Sequence, residues 1–230
     1  MELISNEFVL IALTFGVFYA ARRLQMWTGW IVLNPILLTM AILILFLRVT
    51  GISYDTYEEA SGYITFWIKP AIVAMGVPLY LHLGQIRRLF LPIFLSQLMG
   101  CLIGIVSVVT IAGWLGASRE VIISLAPKSV TTPIAMEICA TTGGIPSLTV
   151  AIVGCVGLLG AIIGFKVMEL SRVSDPRSQG LAIGTASHAI GTAAAMEKGN
   201  LYGAYSSLGL VLNGVLTAML TPSLLRLLLP

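Results

Sequence analysis

The sequence predicts an all-α polytopic membrane protein with about six full spans and two further polar segments, each a re-entrant hairpin or a broken helix. Three observations predict it. Of 230 residues, 57% are hydrophobic and only 10% charged, where a typical soluble domain carries about 25% charged residues. The mean hydropathy of +0.97 is too high for a globule that keeps a wettable surface. The apolar residues also fall in runs long enough to cross about 30 Å of hydrocarbon as helix.

The expected spans are 4–21, 31–48, 62–81, 90–114, 146–168 and 201–228. The first apolar run, Phe8 to Ala21, follows Glu2 and Glu7, and Arg22 and Arg23 take the place of a small-residue cleavage site. It reads as a first span, not a removed signal peptide. The second span opens on "LNPIL" with Asn34 and Pro35, and the third holds "KPAIVAMGVPLY" with Lys69, Pro70, Pro78 and Tyr80. Proline kinks can line a path, so Asn34 and Tyr80 are weaker candidates for one. Segments 121–142 and 178–197 are long enough to enter the bilayer but are polar, rich in small residues and interrupted. Residues 1–116 read as scaffold spans and 117–230 as a transport unit with two polar hairpins, all in one integral membrane domain.

Basic residues set the orientation. Arg22 and Arg23, then Arg87 and Arg88, fall on the cytoplasmic side if the N-terminus is outside. Lys166, Arg172 and Arg177 join them only if 121–142 dips in and returns. Charge therefore favours a re-entrant hairpin there, with a crossing pair of broken helices as the alternative. "TPIAME" at 132–137 is echoed by "TAAAME" at 192–197, and each polar segment precedes a long apolar span. Two such hairpins, separated by one span, would enter from opposite faces, as in the inverted repeats of secondary transporters. Chance matching of alanine-rich six-mers is the competing explanation.

The polar segments carry the chemistry. Broken helices expose N–H groups that attract anions, and survive in lipid only inside protein or against water. In 126–144, Pro127 and Pro133 remove donors and Gly143 and Gly144 favour a turn; Lys128, Ser129, Thr131 and Thr132 add a cation and hydroxyls. That set suits a small carboxylate. "GTASHAIGTA" adds Thr185, Ser187, His188, Gly191 and Thr192, whose small residues admit a ligand to the backbone. His188 can carry a proton near neutral pH, and Glu137 is the second candidate for ion coupling. Plainer readings stand beside these: snorkelling for Lys128, packing for His188 and His82, and an interfacial place for Glu137 and Glu197.

The net charge of +3, without a basic run, makes nucleic acid no partner. Cys101, Cys139 and Cys155 lie in apolar or glycine-rich stretches and read as packing residues. No nucleophile triad, phosphate loop or metal-ligand spacing occurs, so neither enzyme activity nor a cofactor is expected.

"LNPILLT", "TGISYDTY", "KPAIVAMGVPLY", "PKSVTTPIAMEI", "GGIPSLTV" and "GTASHAIGTA" together resemble the LrgB/CidB family of bacterial inner-membrane proteins, from about residue 10 to the C-terminus. The pattern is similar to the C-terminal half of the plastid glycolate/glycerate translocator. The resemblance implies a multi-pass protein of the bacterial inner membrane, and two functional accounts. In one, the protein is holin-like or antiholin-like, works with a small LrgA/CidA-type membrane protein, and modulates murein hydrolases and autolysis. In the other it transports pyruvate or small 2-hydroxy acids, often with that partner. A holin needs only apolar helices that oligomerise, so the two broken, hydroxyl-rich segments favour a carrier. Autolysis control is then indirect. Coupling to a proton or sodium and a homo-oligomer, a dimer above all, are further expectations. A pure assembly subunit is the third reading.

Overall fold

The computed structural model describes residues 6–28, 33–67, 70, 73–74 and 76–229. All regular structure among them is helical, and the chain divides into two compact units, 1–74 and 75–230.

The first unit holds α1 (Glu7–Thr28), α2 (Pro35–Thr50) and α3 (Tyr54–Phe66). Asn34 opens α2: its Oδ1 accepts from the N–H groups of Ile36 at 3.0 Å and Leu37 at 3.3 Å, and Pro35 follows as first helical residue. Gly51, at φ 71°, closes α2 in the left-handed conformation. Thr14 Oγ1 and Tyr57 OH, 3.0 Å apart, tie α1 to α3.

The second unit continues with α4 (Gly76–Leu81), α5 (Leu83–Arg88), α6 (Phe90–Trp114), α7 (Arg119–Leu125), α8 (Thr132–Thr142), α9 (Pro146–Leu170), α10 (Pro176–Lys198) and α11 (Asn200–Leu228). Among the described residues, three helices, α6, α9 and α11, are both long and apolar enough to cross a membrane; α2 is apolar but has only 16 residues. At 1.5 Å per residue, 16 residues reach about 24 Å, short of a hydrocarbon core of about 30 Å.

Spans 90–114, 146–168 and 201–228 thus match helices almost to the residue. The others differ. α1 starts later and runs longer than 4–21, so Arg22 and Arg23 lie within it. The expected span 62–81 is not one helix: α3 ends at Phe66, Trp67 is in a turn, and α4 begins at Gly76. Pro70 lacks the N–H that would continue the helical ladder to the Phe66 carbonyl, where α3 ends. Lys69 and residues 31–32 lie outside the described residues.

Both polar segments fold back on themselves. α7 runs down along α6: Ile122 lies opposite Gly113, and Lys128 reaches Gly104. The chain then turns between Ala126 and Thr131, and α8 leaves beside α9, with Ala135 packed on Val153. Ser124 closes this loop: its Oγ accepts from the N–H of Ile145 at 2.8 Å, and its carbonyl accepts from Thr149 Oγ1 at 3.1 Å. Gly144 packs on Cys139, Ile123 and Ser124, where a Cβ would meet the Cys139 sulfur at 2.6 Å.

The second fold-back lies inside α10. His188 has φ 41° and ψ −139°, which reverses the chain. Lys198 Nζ donates to Gln179 Oε1 at 3.4 Å, although 19 residues of straight helix would separate them by about 28 Å. A Cβ on Gly191 would stand 3.4 Å from the carbonyl oxygen of Ile183, eight residues earlier. The first half of α10 packs on α9 through Gly164–Ile183, Gly160–Ser187 and Gly157–His188. The two fold-backs therefore approach the middle of α9 from its opposite ends.

Candidate functional site

The turn at 126–131 and the break at His188 come together around Asn213 of α11. Asn213 Nδ2 donates to the carbonyl of Ser129 at 3.3 Å and to that of Thr185 at 3.0 Å. Its Oδ1 accepts from Thr217 Oγ1 at 3.4 Å. Each fold-back frees backbone carbonyls that no helix satisfies, and one buried amide, 2% exposed, takes one from each.

Beside this junction lies a cavity of about 760 Å³, walled by α6, α9 and the first half of α10. It extends from the level of Met168 and Ser178, near helix ends, to Lys128 at mid-depth. Ile163, Val167 and Leu181 make its walls apolar, and Lys128 is its one charged residue among the described residues. Lys128 Nζ donates to the carbonyl of Gly104 at 3.2 Å. An ammonium has three donors, so two remain for a ligand. Gln97, 2% exposed, also borders the cavity; its Oε1 accepts from Thr185 Oγ1 at 2.6 Å.

Of the candidate residues, Lys128, Ser129, Thr185 and Ser187 line this one cavity. Thr131 and Thr132 lie at the start of α8, where the Thr131 backbone caps the helix and accepts from Ala135 N–H at 2.9 Å. His188, Gly191 and Thr192 are buried in the fold-back behind the cavity wall. His188 Nε2 donates to the carbonyl of Val153 at 2.8 Å, which fixes the proton on that nitrogen. Thr192 Oγ1 donates to the His188 carbonyl at 2.8 Å and accepts from Ser206 Oγ at 2.9 Å. These bonds hold a residue whose left-handed backbone is itself unfavourable, by about 1–3 kcal/mol. Glu137 on α8 and Glu197 near the end of α10 are exposed. Asn34 caps α2 in the other unit, and Tyr80 on α4 is exposed.

Gln97 and Asn213 are the residues that reading for motifs missed. Each is a lone amide in an apolar run, "FLSQLMG" and "LVLNGVL". A buried polar side chain at membrane depth is itself a signal. Among the described residues, no three His, Cys, Asp or Glu side chains form a group that could hold a metal.

At the outer end of the fold-back, Lys198 pairs with Glu169 at 3.2 Å and lies 4.2 Å from the Phe165 ring centroid. Asp175 caps α10 through Ser178 N–H at 3.1 Å and pairs with Arg177 at 3.1 Å. Burial is the largest single influence and pushes the Asp175 carboxyl up, but the bonds from Ser178 and Arg177 and the Arg177 charge together outweigh it and hold the group below its ordinary range.

The family model described as LrgB-like matches residues 14–227. The "Holin-like protein CidB" of Staphylococcus aureus is 33% identical, over 96% of this chain and 99% of its own. An uncharacterized protein of Bacillus subtilis, YwbG, is 33% identical over 94% of this chain and 96% of its own. An uncharacterized protein of Haemophilus influenzae is 35% identical over 93% and 92%. No solved structure matches the chain.

Proposed function

The chain belongs to the LrgB-like family of bacterial multi-pass membrane proteins, and from that premise we propose that it is a secondary carrier of small monocarboxylates such as pyruvate, lactate or glycolate. The observation that carries the proposal is the cavity with one cation, Lys128, at its inner end, beside two broken helical segments. A single positive charge among apolar walls matches a monoanion with a short carbon chain. An uncompensated dianion would be left with one charge unpaired at membrane depth.

The order fold-back, span, fold-back, span over α7 to α11 supports an inverted repeat, with the solute site at its centre. In this reading Lys128, Ser129, Thr185 and Ser187 meet the solute. Thr131, Thr132, Gly191 and Thr192 shape the two tips. His188 and Glu137 are the groups for proton coupling, with sodium as the alternative ion. A small LrgA/CidA-type protein is the proposed partner, and a homodimer the proposed assembly. Control of murein hydrolases follows indirectly, through carboxylate metabolism. A holin-like or assembly role is the second reading, favoured by the name carried by the Staphylococcus aureus relative.

Binding by the purified chain tests the proposal. A ligand that binds only the folded state stabilises it by RT ln(1 + [L]/Kd), about 2.7 kcal/mol at a hundredfold excess over Kd. Pyruvate, lactate or glycolate should raise the thermal midpoint of the wild type and not of Lys128→Met. A midpoint unmoved by every acid, with and without the small partner, supports the holin-like or assembly reading instead.

A further inference from the structure

The cavity stops at mid-depth, and what lies beyond it is apolar. Cys101, Ile105 and Ala126 line its inner end and also belong to a buried cluster that continues with Val109, Ile122 and Leu225. This cluster joins α6, the α7 arm and the last turns of α11, and seals the way onward. α11 starts at the mouth of the cavity, since Lys198, just before it, reaches Gln179 and Glu169. One face of α11 then passes from the cavity into the seal. Thr217 lines the cavity, Leu225 belongs to the cluster, and Thr221 stands between them, one turn or about 6 Å from each. Thr221 is 0% exposed, yet no group among the described residues partners its hydroxyl. A helical threonine can satisfy itself by bonding the carbonyl four residues back. Thr39, Thr142 and Thr192 do so at 2.6, 2.6 and 2.8 Å; Thr221 does not. A buried hydroxyl without a partner costs stability, so packing gives no reason for this one. The hydroxyls of Tyr205 and Ser207 are also buried without partners among the described residues, but they lie in the first turns of α11, on the mouth side of Asn213.

We propose that Thr221 lines the far half of the solute path, the half closed in this structure, and that its hydroxyl meets the carboxylate as the solute leaves Lys128 for the other face of the membrane. The inference rests on the carrier reading and names a residue of the second access route. A carboxylate that leaves an ammonium at membrane depth needs another donor on its way out. α11 presents Asn213, Thr217 and Thr221 on one face at four-residue intervals, in an otherwise apolar run. Asn213 and Thr217 are bonded to each other and border the open half; Thr221 is the member of the series left over. Opening the far half requires the α7 arm to move off α6. Ile122 of that arm belongs to the seal and lies opposite Gly113. The arm runs into the tip that carries Lys128, so the movement that opens the seal also shifts the cation. Pro222, inside α11, removes the N–H that would bond the Ala218 carbonyl, which gives the helix a bend point at the level of Thr221.

The test compares the purified full chain, Thr221→Val and Thr221→Ser in two measurements: the thermal midpoint with and without pyruvate, and exchange of labelled pyruvate across proteoliposomes. Thr221→Val removes an unpartnered hydroxyl, so its midpoint without pyruvate should equal or exceed that of the wild type. The rise caused by pyruvate should be kept, because the open half is untouched. Exchange should slow on the order of tenfold. Thr221→Ser, which keeps the hydroxyl, should exchange at close to the wild-type rate. Exchange at the wild-type rate in Thr221→Val overturns the role of Thr221 and leaves the carrier reading standing. So does a lowered midpoint in Thr221→Val, which would show the hydroxyl bonded in the closed fold, or loss of the pyruvate effect, which would place it in the open half. Exchange as slow in Thr221→Ser as in Thr221→Val overturns the role of the hydroxyl. No saturable exchange by the wild type overturns both the inference and the carrier reading.

Discussion

Replacing Asn213 by leucine removes a side chain that hydrogen-bonds both fold-backs. Leucine keeps the branched shape, but its two methyl groups are bulkier than the amide oxygen and nitrogen, so overpacking at this buried position adds to the loss of the hydrogen bonds. Two carbonyls, of Ser129 and Thr185, lose a donor, and Thr217 loses an acceptor. Hydrogen bonds between membrane helices average about 0.6 kcal/mol, with a maximum of about 1.7. The Thr217 contact at 3.4 Å is long and weak, so the hydrogen-bond part of the cost comes from two bonds, about 1–3 kcal/mol. For a chain of this size that part corresponds to a fall in thermal midpoint of about 2–12 °C. The assay is thermal unfolding in detergent, followed by fluorescence, on Asn213→Leu, Thr217→Val and the double variant. Asn213→Leu should show most of the loss, and Thr217→Val little. A midpoint for Asn213→Leu within about 1 °C of the wild type would mean that the tips are held by packing alone.

Gly160→Ala places a methyl group on the Ser187 side chain, and should cost about 1–3 kcal/mol by overpacking, read as a lower thermal midpoint. Gly154→Ala is the control on the same helix, since a Cβ there meets nothing within 4 Å. Lys198→Met removes the pair with Glu169 and the Phe165 contact; at this exposed site the loss should be about 1 kcal/mol or less, with faster amide exchange in 189–198 as the more sensitive readout. Asp175→Ala removes the cap of α10, at about 1 kcal/mol. Because folding lowers the Asp175 pKa, its contribution is present above the ordinary aspartate value of about 3.9 and fades as pH falls through the lower folded value. The gap between wild type and Asp175→Ala should therefore narrow below about pH 4, and a gap that widens there would contradict the assignment.

Much of the second unit was legible because its signals are local. α8, α9 and α10 each carry a proline in the first two positions, Pro133, Pro146 and Pro176, and α8 closes on Gly143 at φ 87°. The clustering of hydroxyls, Lys128 and breakers at 126–144 marked a fold-back, and charge placement pointed to its return. The break at His188 was not legible from propensity. "GTASHAIGTA" has no proline, and the tolerance of histidine for positive φ is for the left-handed helical well, not for the ψ of −139° found here; packing of Gly157, Gly160 and Gly164 against this segment accommodates the turn. That Lys128 and Thr185 line one cavity is equally a tertiary fact, set in part by Asn213 of α11. Gln97 and Asn213 went unread because motifs drew attention to polar clusters, whereas these are single polar residues in greasy runs. The span at 62–81 misled because hydropathy counts its residues but not its prolines.

Counterflow in proteoliposomes that hold the purified chain, pyruvate and an entrapped fluorescent dye separates a carrier from a pore. A carrier exchanges labelled external pyruvate for internal pyruvate, saturates, retains the dye, and loses exchange in Lys128→Met. That is the predicted result. Dye release with no saturable exchange, unchanged in Lys128→Met, would mean that the chain forms a holin-like lesion and that the cavity at Lys128 carries no solute.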